Sequence, residues 1–147
     1  MIDKSAQWFD RCGNFHEGFA KVVLDGKYNF INKNGEFLSE QWFDYCYDFH
    51  EGFAKVELDG KSNFINKKGK IIAIDAKLQI CGFSEGFIKV RQNRNLTFNF
   101  INNDGEFLSN KWFDYCYDFH EGLAKVELNN KENFIDNSGN LLVNHEA

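Results

Sequence analysis

The stretch Phe49-His50-Glu51-Gly52-Phe53-Ala54-Lys55-Val56 decides the fold because it occurs, with small changes, four times in the chain. The other copies are Phe15–Val22, Phe83–Val90 and Phe119–Val126. Their glycines are separated by 34, 34 and 36 residues, and the longer step comes from a short insertion near Arg94. A fixed period of this length is typical of repeat proteins, in which stacked units share an interior. The sequence therefore predicts a single repeat domain over residues 1–147, with units at about 8–41, 42–76, 77–111 and 112–147.

Each unit has the pattern of a tight β-hairpin followed by a further short strand. In the second unit, Gly52–Leu58 alternates apolar and polar residues, which is typical of a half-buried strand. Asp59-Gly60 is a strong signal for a two-residue turn, and Lys61–Asn66 is the returning strand. A turn at Lys67–Gly69 then leads to a third strand at Lys70–Ile74. Because no window shows sustained helical periodicity, we predict an all-β fold with almost no helix.

Two positions recur in all four units and call for a backbone explanation. A glycine follows a glutamate each time, as in Glu51-Gly52, which predicts a positive φ or the close approach of a neighbouring chain. An asparagine precedes Phe-Ile each time, as in Asn63-Phe64-Ile65. Strand interiors disfavour asparagine, so we expect a bulge or a side chain bonded to nearby backbone. The preceding segment Trp42–Phe49 fits either a strand, with Phe43 and Tyr45 on one side, or an extended connector.

Two arrangements of the units are compatible with this pattern. In an open array each unit stacks only on its neighbours, whereas in a closed ring, such as a small propeller, the last strand completes the first unit. The chain finishes with the apolar strand Leu141–Val143, which no further unit follows. This strand favours closure, pairing with another copy, or origin in a longer protein. We predict tandem hairpin and meander repeats in an open array, with the closed ring as the alternative and oligomerisation through this C-terminal strand as an option.

Composition and charge exclude several classes of function. The 147 residues are 43% hydrophobic and 17% aromatic, enough apolar material to bury a core. The formal net charge is −5, so the basic surface of a nucleic-acid-binding protein is not expected. No apolar run approaches the roughly 18 residues that cross a bilayer, and no export signal is visible. We therefore expect no nucleic acid or membrane partner, and a cytoplasmic location.

The repeated unit resembles the WG (KWG) repeat family of bacterial proteins. Phe49–Val56 matches the first half of the family pattern, Asp59–Lys61 matches its turn, and Phe64–Gly69 matches its end. The Trp-Gly dipeptide of the family is replaced by Tyr28-Asn29, Ser62-Asn63, Phe98-Asn99 and Glu132-Asn133. Asparagine in the place of glycine favours a positive φ there. The resemblance extends from about Trp8 to Val143 and implies a β-rich repeat array, no catalytic chemistry and a binding role.

The spacing of cysteine and histidine residues bears on metal binding and catalysis. Cys12, Cys46 and Cys116 each stand four residues before a histidine. Along a strand four residues span about 13 Å, too far for one metal ion to contact both side chains. We therefore predict that these cysteines fill the core, and we expect no metal and no cofactor. A His-Glu pair that occurs three times is unlike a single active site, so no enzyme is expected; a small hydrolase or metal-dependent enzyme is the last alternative.

Aromatic residues beside aspartates are the strongest candidates for ligand contact. Aromatic faces with neighbouring carboxylates suit sugar rings, peptides or cationic side chains, and core packing is the competing interpretation. The predicted ligand-binding residues are Trp42, Tyr45, Tyr47, Trp112, Tyr115 and Tyr117. Repetition of similar sites suits multivalent contact. The sequence thus predicts a non-catalytic interaction module with a protein partner, and carbohydrate binding through the aromatic rows is the alternative.

Overall fold

The computed structural model describes residues 7–143, and all regular secondary structure in this part of the chain is β-strand. The strands are β1 (Arg11–His16), β2 (Phe19–Leu24), β3 (Lys27–Ile31), β4 (Tyr45–Cys46), β5 (Phe53–Leu58), β6 (Lys61–Asn66), β7 (Ile71–Ile72), β8 (Leu78–Ser84), β9 (Phe87–Gln92), β10 (Phe98–Ile101), β11 (Tyr115–Cys116), β12 (Leu123–Leu128) and β13 (Lys131–Asp136). A search of the described residues for a membrane-spanning helix finds no candidate.

These strands form four small antiparallel sheets, one for each repeat of the sequence. Their strand orders are β1-β2-β3, β4-β5-β6-β7, β8-β9-β10 and β11-β12-β13, and we call them repeats 1 to 4. The prediction of an all-β fold built from tandem meanders is therefore confirmed. The first strand of each repeat is called the entry strand, and β3, β6, β10 and β13 are called the return strands.

The third predicted strand of each unit is much shorter than expected. It is the two-residue strand β7 in repeat 2, and a single backbone bridge elsewhere, such as Phe37 with Ile31. The segment Trp42–Phe49 contributes a regular strand only at Tyr45–Cys46. Alternation alone therefore overestimates the length of both strands, because each of them pairs with a neighbouring strand over only one or two residues.

In repeats 1, 2 and 4 both hairpin turns place their two central residues at positive φ, and in repeat 3 only the first turn does so. Asp59 and Gly60 have φ of 53° and 78°, as expected for the turn between β5 and β6. Glu51 and Gly52 have φ of 51° and 87°, which confirms the positive φ predicted for the glycine. The glutamate at positive φ was not predicted, because this conformation is unusual for a residue with a long side chain.

The side chains of the recurring asparagines form hydrogen bonds with nearby backbone groups. This was one of the two expectations for these residues, and the other was a bulge. Asn29 pairs with Val22 in regular register, so no bulge occurs at this position. Its side chain donates a hydrogen bond to the Ser39 carbonyl at 2.8 Å and accepts one from the Phe30 amide at 2.7 Å. The positive φ expected from asparagine in place of glycine is wrong for all four residues. The side chain, rather than backbone freedom, explains why asparagine recurs.

The described chain divides into two compact units, each with its own core. Unit 1 comprises the chain up to His50 together with Ala54–Ile71, and unit 2 comprises Glu51–Phe53 together with the chain from Ile72 onward. The core of unit 1 contains Phe30, Phe43, Cys46, Phe49, Ala54, Val56 and Ile65. The core of unit 2 contains Phe87, Phe100, Phe113, Cys116, Phe119, Ala124, Val126 and Ile135. The single domain with its four boundaries, and the choice between open array and closed ring, remain predictions.

Candidate functional site

The six predicted ligand-binding residues fall into two groups with different environments. Tyr45, Tyr47, Tyr115 and Tyr117 are exposed, whereas Trp42 and Trp112 are half-buried. The indole of Trp42 packs on Phe37 with ring centroids 5.4 Å apart, and Trp112 packs on Phe107 at 5.2 Å. The tyrosines therefore offer surface, and the tryptophans mainly join one repeat to the preceding one.

The tyrosines face solvent because the inward-facing residues of their segment do not follow strict alternation. Strict alternation placed Phe43, Tyr45, Tyr47 and Phe49 on one side, but the buried residues are Phe43, Cys46 and Phe49. In repeat 4 the pairing shifts by one residue between Cys116, which pairs with Val126, and His120, which pairs with Leu123. Entry strand β1 shows a similar shift between Cys12 and Phe15. An extra residue in one strand changes the side that the following side chains face. The predicted shared side is therefore wrong.

The first of two tyrosine patches lies in unit 1 and consists of Lys21, Tyr45, Tyr47, Lys55 and Glu57. The ring centroids of Tyr45 and Tyr47 lie 4.8 Å apart. The Lys21 ammonium lies 5.9 Å from the ring centroid of Tyr45. The Lys55 ammonium lies 5.1 Å from the centroid of Tyr47. The Tyr47 hydroxyl donates a hydrogen bond to Glu57 at 3.0 Å, which raises the pKa of this phenol. The patch is thus a set of side chains that hold one another in place.

The second tyrosine patch lies in unit 2 and repeats this arrangement with Lys89, Tyr115, Tyr117, Lys125 and Glu127. The two tyrosine rings are again 4.8 Å apart, and the ammonium groups of Lys89 and Lys125 lie 5.4 Å and 4.5 Å from their centroids. The Tyr117 hydroxyl donates to Glu127 at 2.7 Å and its pKa is raised by this bond. The same local surface is therefore built twice, once in each unit.

The aspartates beside the tyrosines maintain the structure of the repeat. Asp44 accepts a hydrogen bond from the Asp59 amide at 2.9 Å and forms an ion pair with Lys27 at 2.5 Å, and the bond from Lys27 lowers the pKa of this carboxyl. Asp48 pairs with Lys21 at 3.3 Å, and Asp118 pairs with the buried Lys89 at 2.9 Å. These carboxylates hold a turn or fix a lysine over a ring, so they have a structural task already.

The cysteines divide into two buried and two exposed thiols. Cys46 and Cys116 are fully buried, and burial raises the pKa of each thiol to about 12, as predicted for core fillers. Cys12, which occupies the equivalent place in repeat 1, is exposed, so the prediction is wrong for this residue. Cys81 is also exposed. Among the described residues, no group of three or more histidine, cysteine or acidic side chains could hold a metal ion.

A solvent-open cleft in unit 2 is a feature that the sequence did not reveal. Its volume is about 530 Å³, and Lys77, Gln92, Arg94, Phe107 and Trp112 are among the residues that line it. Arg94 belongs to the insertion of repeat 3, which was visible in the sequence as the longer step between glycines. Its consequence for the surface was not predictable, because the position of Trp112 beside this loop depends on how the repeats pack.

Comparison with known proteins gives one match, at the level of the repeat. The family model described as "WG containing repeat" matches residues 9–28, 30–61, 64–95 and 100–131. No curated protein and no solved structure matches the chain significantly. The four matched stretches together cover most of the chain and agree in number with the four sheets.

Proposed function

Because the chain belongs to the WG-repeat family, we propose that it is a non-catalytic interaction module that binds a protein partner through its two tyrosine patches. The observation that carries this proposal is the duplication of the same exposed cluster at Tyr45–Tyr47 and Tyr115–Tyr117. Tyrosine is enriched at the centres of protein interfaces because its ring is large, rigid and polar at one end. Two equal patches suit a partner that offers two equal epitopes.

Preorganisation of the patches supports this role. The Tyr47 hydroxyl is fixed by Glu57, and the Tyr117 hydroxyl by Glu127. Lysines lie over the rings of all four tyrosines. Side chains that are already ordered lose less conformational entropy when a partner binds. A protein surface with acidic side chains would complement the lysines, while its apolar groups contact the ring edges.

The same geometry makes the patches poor platforms for sugars. Carbohydrate rings stack on an aromatic face, but an ammonium group lies 4.5 Å from the centroid of Tyr117 and 5.1 Å from that of Tyr47. A sugar would have to displace these lysines before it could stack. The carbohydrate alternative is therefore better placed in the cleft of unit 2, where Trp112 stands beside Gln92 and Arg94. That cleft makes carbohydrate binding the second candidate function.

The quadruple variant Tyr45→Ala, Tyr47→Ala, Tyr115→Ala, Tyr117→Ala tests the protein-binding proposal. Immobilised wild-type protein is exposed to a lysate of the source cells, and captured proteins are quantified by mass spectrometry. We expect a specific partner whose capture falls at least about tenfold in the quadruple variant, since losing hot-spot residues costs more than about 1.4 kcal/mol. Each patch removed singly gives an intermediate loss. The variant Leu96→Ala, which removes an exposed side chain outside the patches, is the matched control.

Capture that is equal in the wild-type and quadruple proteins would contradict the proposal. A glycan array separates the second candidate, because a glycan signal lost in Trp112→Ala and kept in the quadruple variant would assign the cleft, not the patches, as the binding site. Thermal unfolding of every variant verifies that a loss of binding does not reflect a loss of fold.

A further inference from the structure

The contact that joins two repeats within a unit has the same form in both units. In unit 1, the return strand of repeat 1 packs on residues Trp42–Phe49, which we call the entry segment of repeat 2. The ring centroids of Phe30 and Phe49 are 5.0 Å apart. Tyr28 and Phe43 exchange two backbone hydrogen bonds of 2.8 Å beside this ring pair. In unit 2, Phe100 and Phe119 lie 4.8 Å apart in the equivalent places. A return face and an entry face are therefore the two halves of a defined interface.

The return face of repeat 4 is left uncovered in the described chain. Phe134 is 42% exposed, whereas its equivalents Phe30 and Phe100 are 0% exposed. Leu142 is 58% exposed, whereas its equivalents Leu38 and Leu108 are half-buried. These side chains are apolar and adjacent, so repeat 4 offers the half-interface that repeats 1 and 3 bury.

The entry face of repeat 1 is uncovered in the complementary way. Phe15 is 44% exposed, whereas Phe49 and Phe119 in the equivalent place are 4% exposed. Trp8 is 82% exposed, although its equivalents Trp42 and Trp112 are half-buried against a preceding repeat. Repeat 1 thus offers the half-interface that repeats 2 and 4 bury.

We propose that these two faces bind each other between copies of this chain, so that repeat 4 of one copy docks on repeat 1 of the next. The occupant is a second copy because each face has the residue types that its counterpart contacts inside the units. Phe134 of one copy then meets Phe15 of the other as Phe30 meets Phe49, and Leu141 meets Trp8 as Phe37 meets Trp42. Such a contact is heterologous, so it uses two different surfaces of the same protein. It does not depend on the tyrosine patches.

The turns that lead from the entry strands into the central strands β2, β5, β9 and β12 provide an independent indication of the same stacking. In unit 2 the Glu51 carboxylate accepts a hydrogen bond from the Glu85 amide at 2.7 Å. The Glu85 carboxylate in turn accepts bonds from the amides of Glu121 and Gly122 at 2.7 Å and 2.9 Å. Each glutamate therefore reaches the turn of the next repeat. The Glu121 side chain is 85% exposed and occupies the position from which it would reach the Glu17-Gly18 turn of a docked copy.

A close backbone approach at this interface gives a selective way to block it. A Cβ atom at Gly69 would lie 2.5 Å from the Leu38 carbonyl oxygen of the preceding repeat, and one at Gly139 would lie 2.3 Å from that of Leu108. A Cβ atom at Gly35, the equivalent residue of repeat 1, meets nothing within 4 Å. In the docked pair Gly35 faces the Leu142 carbonyl of the other copy. A side chain at this residue therefore obstructs docking and leaves the single chain unobstructed.

The test compares the association of the wild-type protein, Gly35→Asn and Gly26→Asn by sedimentation velocity between about 1 µM and 500 µM, the range in which modest interfaces associate. Asparagine tolerates positive φ, and Gly35 and Gly26 both have φ of 79° with free space around them. We expect the wild-type protein and Gly26→Asn to associate with rising concentration. The dissociation constant of Gly35→Asn is expected to be at least tenfold higher than that of the wild-type protein. A wild-type protein that stays monomeric throughout, or equal association of both variants, overturns the proposal.

Thiol labelling provides a second measurement that needs no substitution. Cys12 is exposed in the single chain, whereas Cys46 and Cys116 in the equivalent places are fully buried in cores that include Phe30 and Phe100 of the preceding repeats. Docking would bury Cys12 in the same way. With a substoichiometric maleimide pulse and peptide mass spectrometry, labelling of Cys12 should decrease relative to labelling of exposed Cys81 as the protein concentration rises. A constant ratio across the concentration range contradicts head-to-tail docking.

Discussion

At the scale of single residues, the repeated positions are determined by backbone geometry and close contact. Glu51 and Gly52 both have positive φ, and the glutamate side chain then bonds the turn of the next repeat. The hydrogen bond offsets the strain of a glutamate in the left-handed region, which costs roughly 1–2 kcal/mol for an ordinary residue. The dipeptide therefore recurs because the turn requires one residue without a Cβ atom and one with a carboxylate that reaches its neighbour.

The variant Gly69→Ala tests whether close contact also selects glycine. Its added Cβ atom would lie 2.5 Å from the Leu38 carbonyl oxygen, so the backbone of one repeat must shift. We expect the free energy of unfolding to fall by about 1–3 kcal/mol more than in Gly60→Ala, as is typical of overpacking. Gly60 has a similar φ of 78° and free space around its Cβ position, so it reports the backbone strain alone.

Urea unfolding at low protein concentration measures both variants. Equal losses of stability in Gly69→Ala and Gly60→Ala would show that the approach of Leu38 imposes no constraint, and that positive φ is the whole reason for glycine at this position.

At the scale of elements, the return strand is fixed to the segment that follows it by a buried asparagine. Asn29 and Asn99 are fully buried and bond the carbonyls of Ser39 and Ser109, each at 2.8 Å. Both also accept a bond from the amide of the next residue. A segment too short to form a strand of its own is held in place by this side chain, and it can therefore cover the edge of the sheet.

We predict that Asn29→Ala lowers the free energy of unfolding by about 2 kcal/mol or more, because it leaves the Phe30 amide and the Ser39 carbonyl without their partner in a buried place. The matched control is Asn133→Ala in repeat 4. Asn133 makes the same bonds to Phe134 and Val143, but at an exposed surface where water replaces them, so a loss below about 1 kcal/mol is expected. Chemical denaturation checks the difference, and a larger loss for Asn133→Ala would refute the argument.

At the scale of the whole molecule, the core belongs to pairs of repeats. The core of unit 1 combines Phe30 of repeat 1 with Phe49 and Ile65 of repeat 2, and the core of unit 2 combines Phe100 of repeat 3 with Phe119 and Ile135 of repeat 4. A single repeat of about 34 residues has only half of such a core, which is too little for independent stability.

We therefore predict that the fragments 1–74 and 75–147 each unfold cooperatively and retain a β-type circular dichroism spectrum. The peptide 8–41, which is one repeat, is expected to be unfolded, since its return strand lacks the entry segment that buries Phe30. Thermal scans of the three fragments test this. Cooperative unfolding of the single repeat, or the absence of any transition in both halves, would contradict the assignment of the core to repeat pairs.

The extent of prediction from sequence differs between the central strands and the entry segments. The hairpin β5–β6 was predicted because alternation in Gly52–Leu58 and the Asp59-Gly60 turn are local signals that act within a few residues. The entry segment Trp42–Phe49 was predicted less well, because its inward-facing residues depend on partners elsewhere in the chain. Phe43 bridges Tyr28 of the preceding repeat, and Cys46 pairs with Val56. The exposure of Cys12 depends on the same kind of information, since its environment is supplied by a neighbouring repeat.

The sequence by itself determined the number of repeats, the all-β class, the hairpins and the positive φ of the glycine after each glutamate, because these follow from periodicity and from the φ angles that turns require. The tertiary structure alone decided which aromatic residues became surface, which lysine of the preceding repeat lies over Tyr45, and the cleft beside Trp112. Those features arise where separate repeats meet, and contacts between residues distant in sequence leave no local pattern from which they could be inferred.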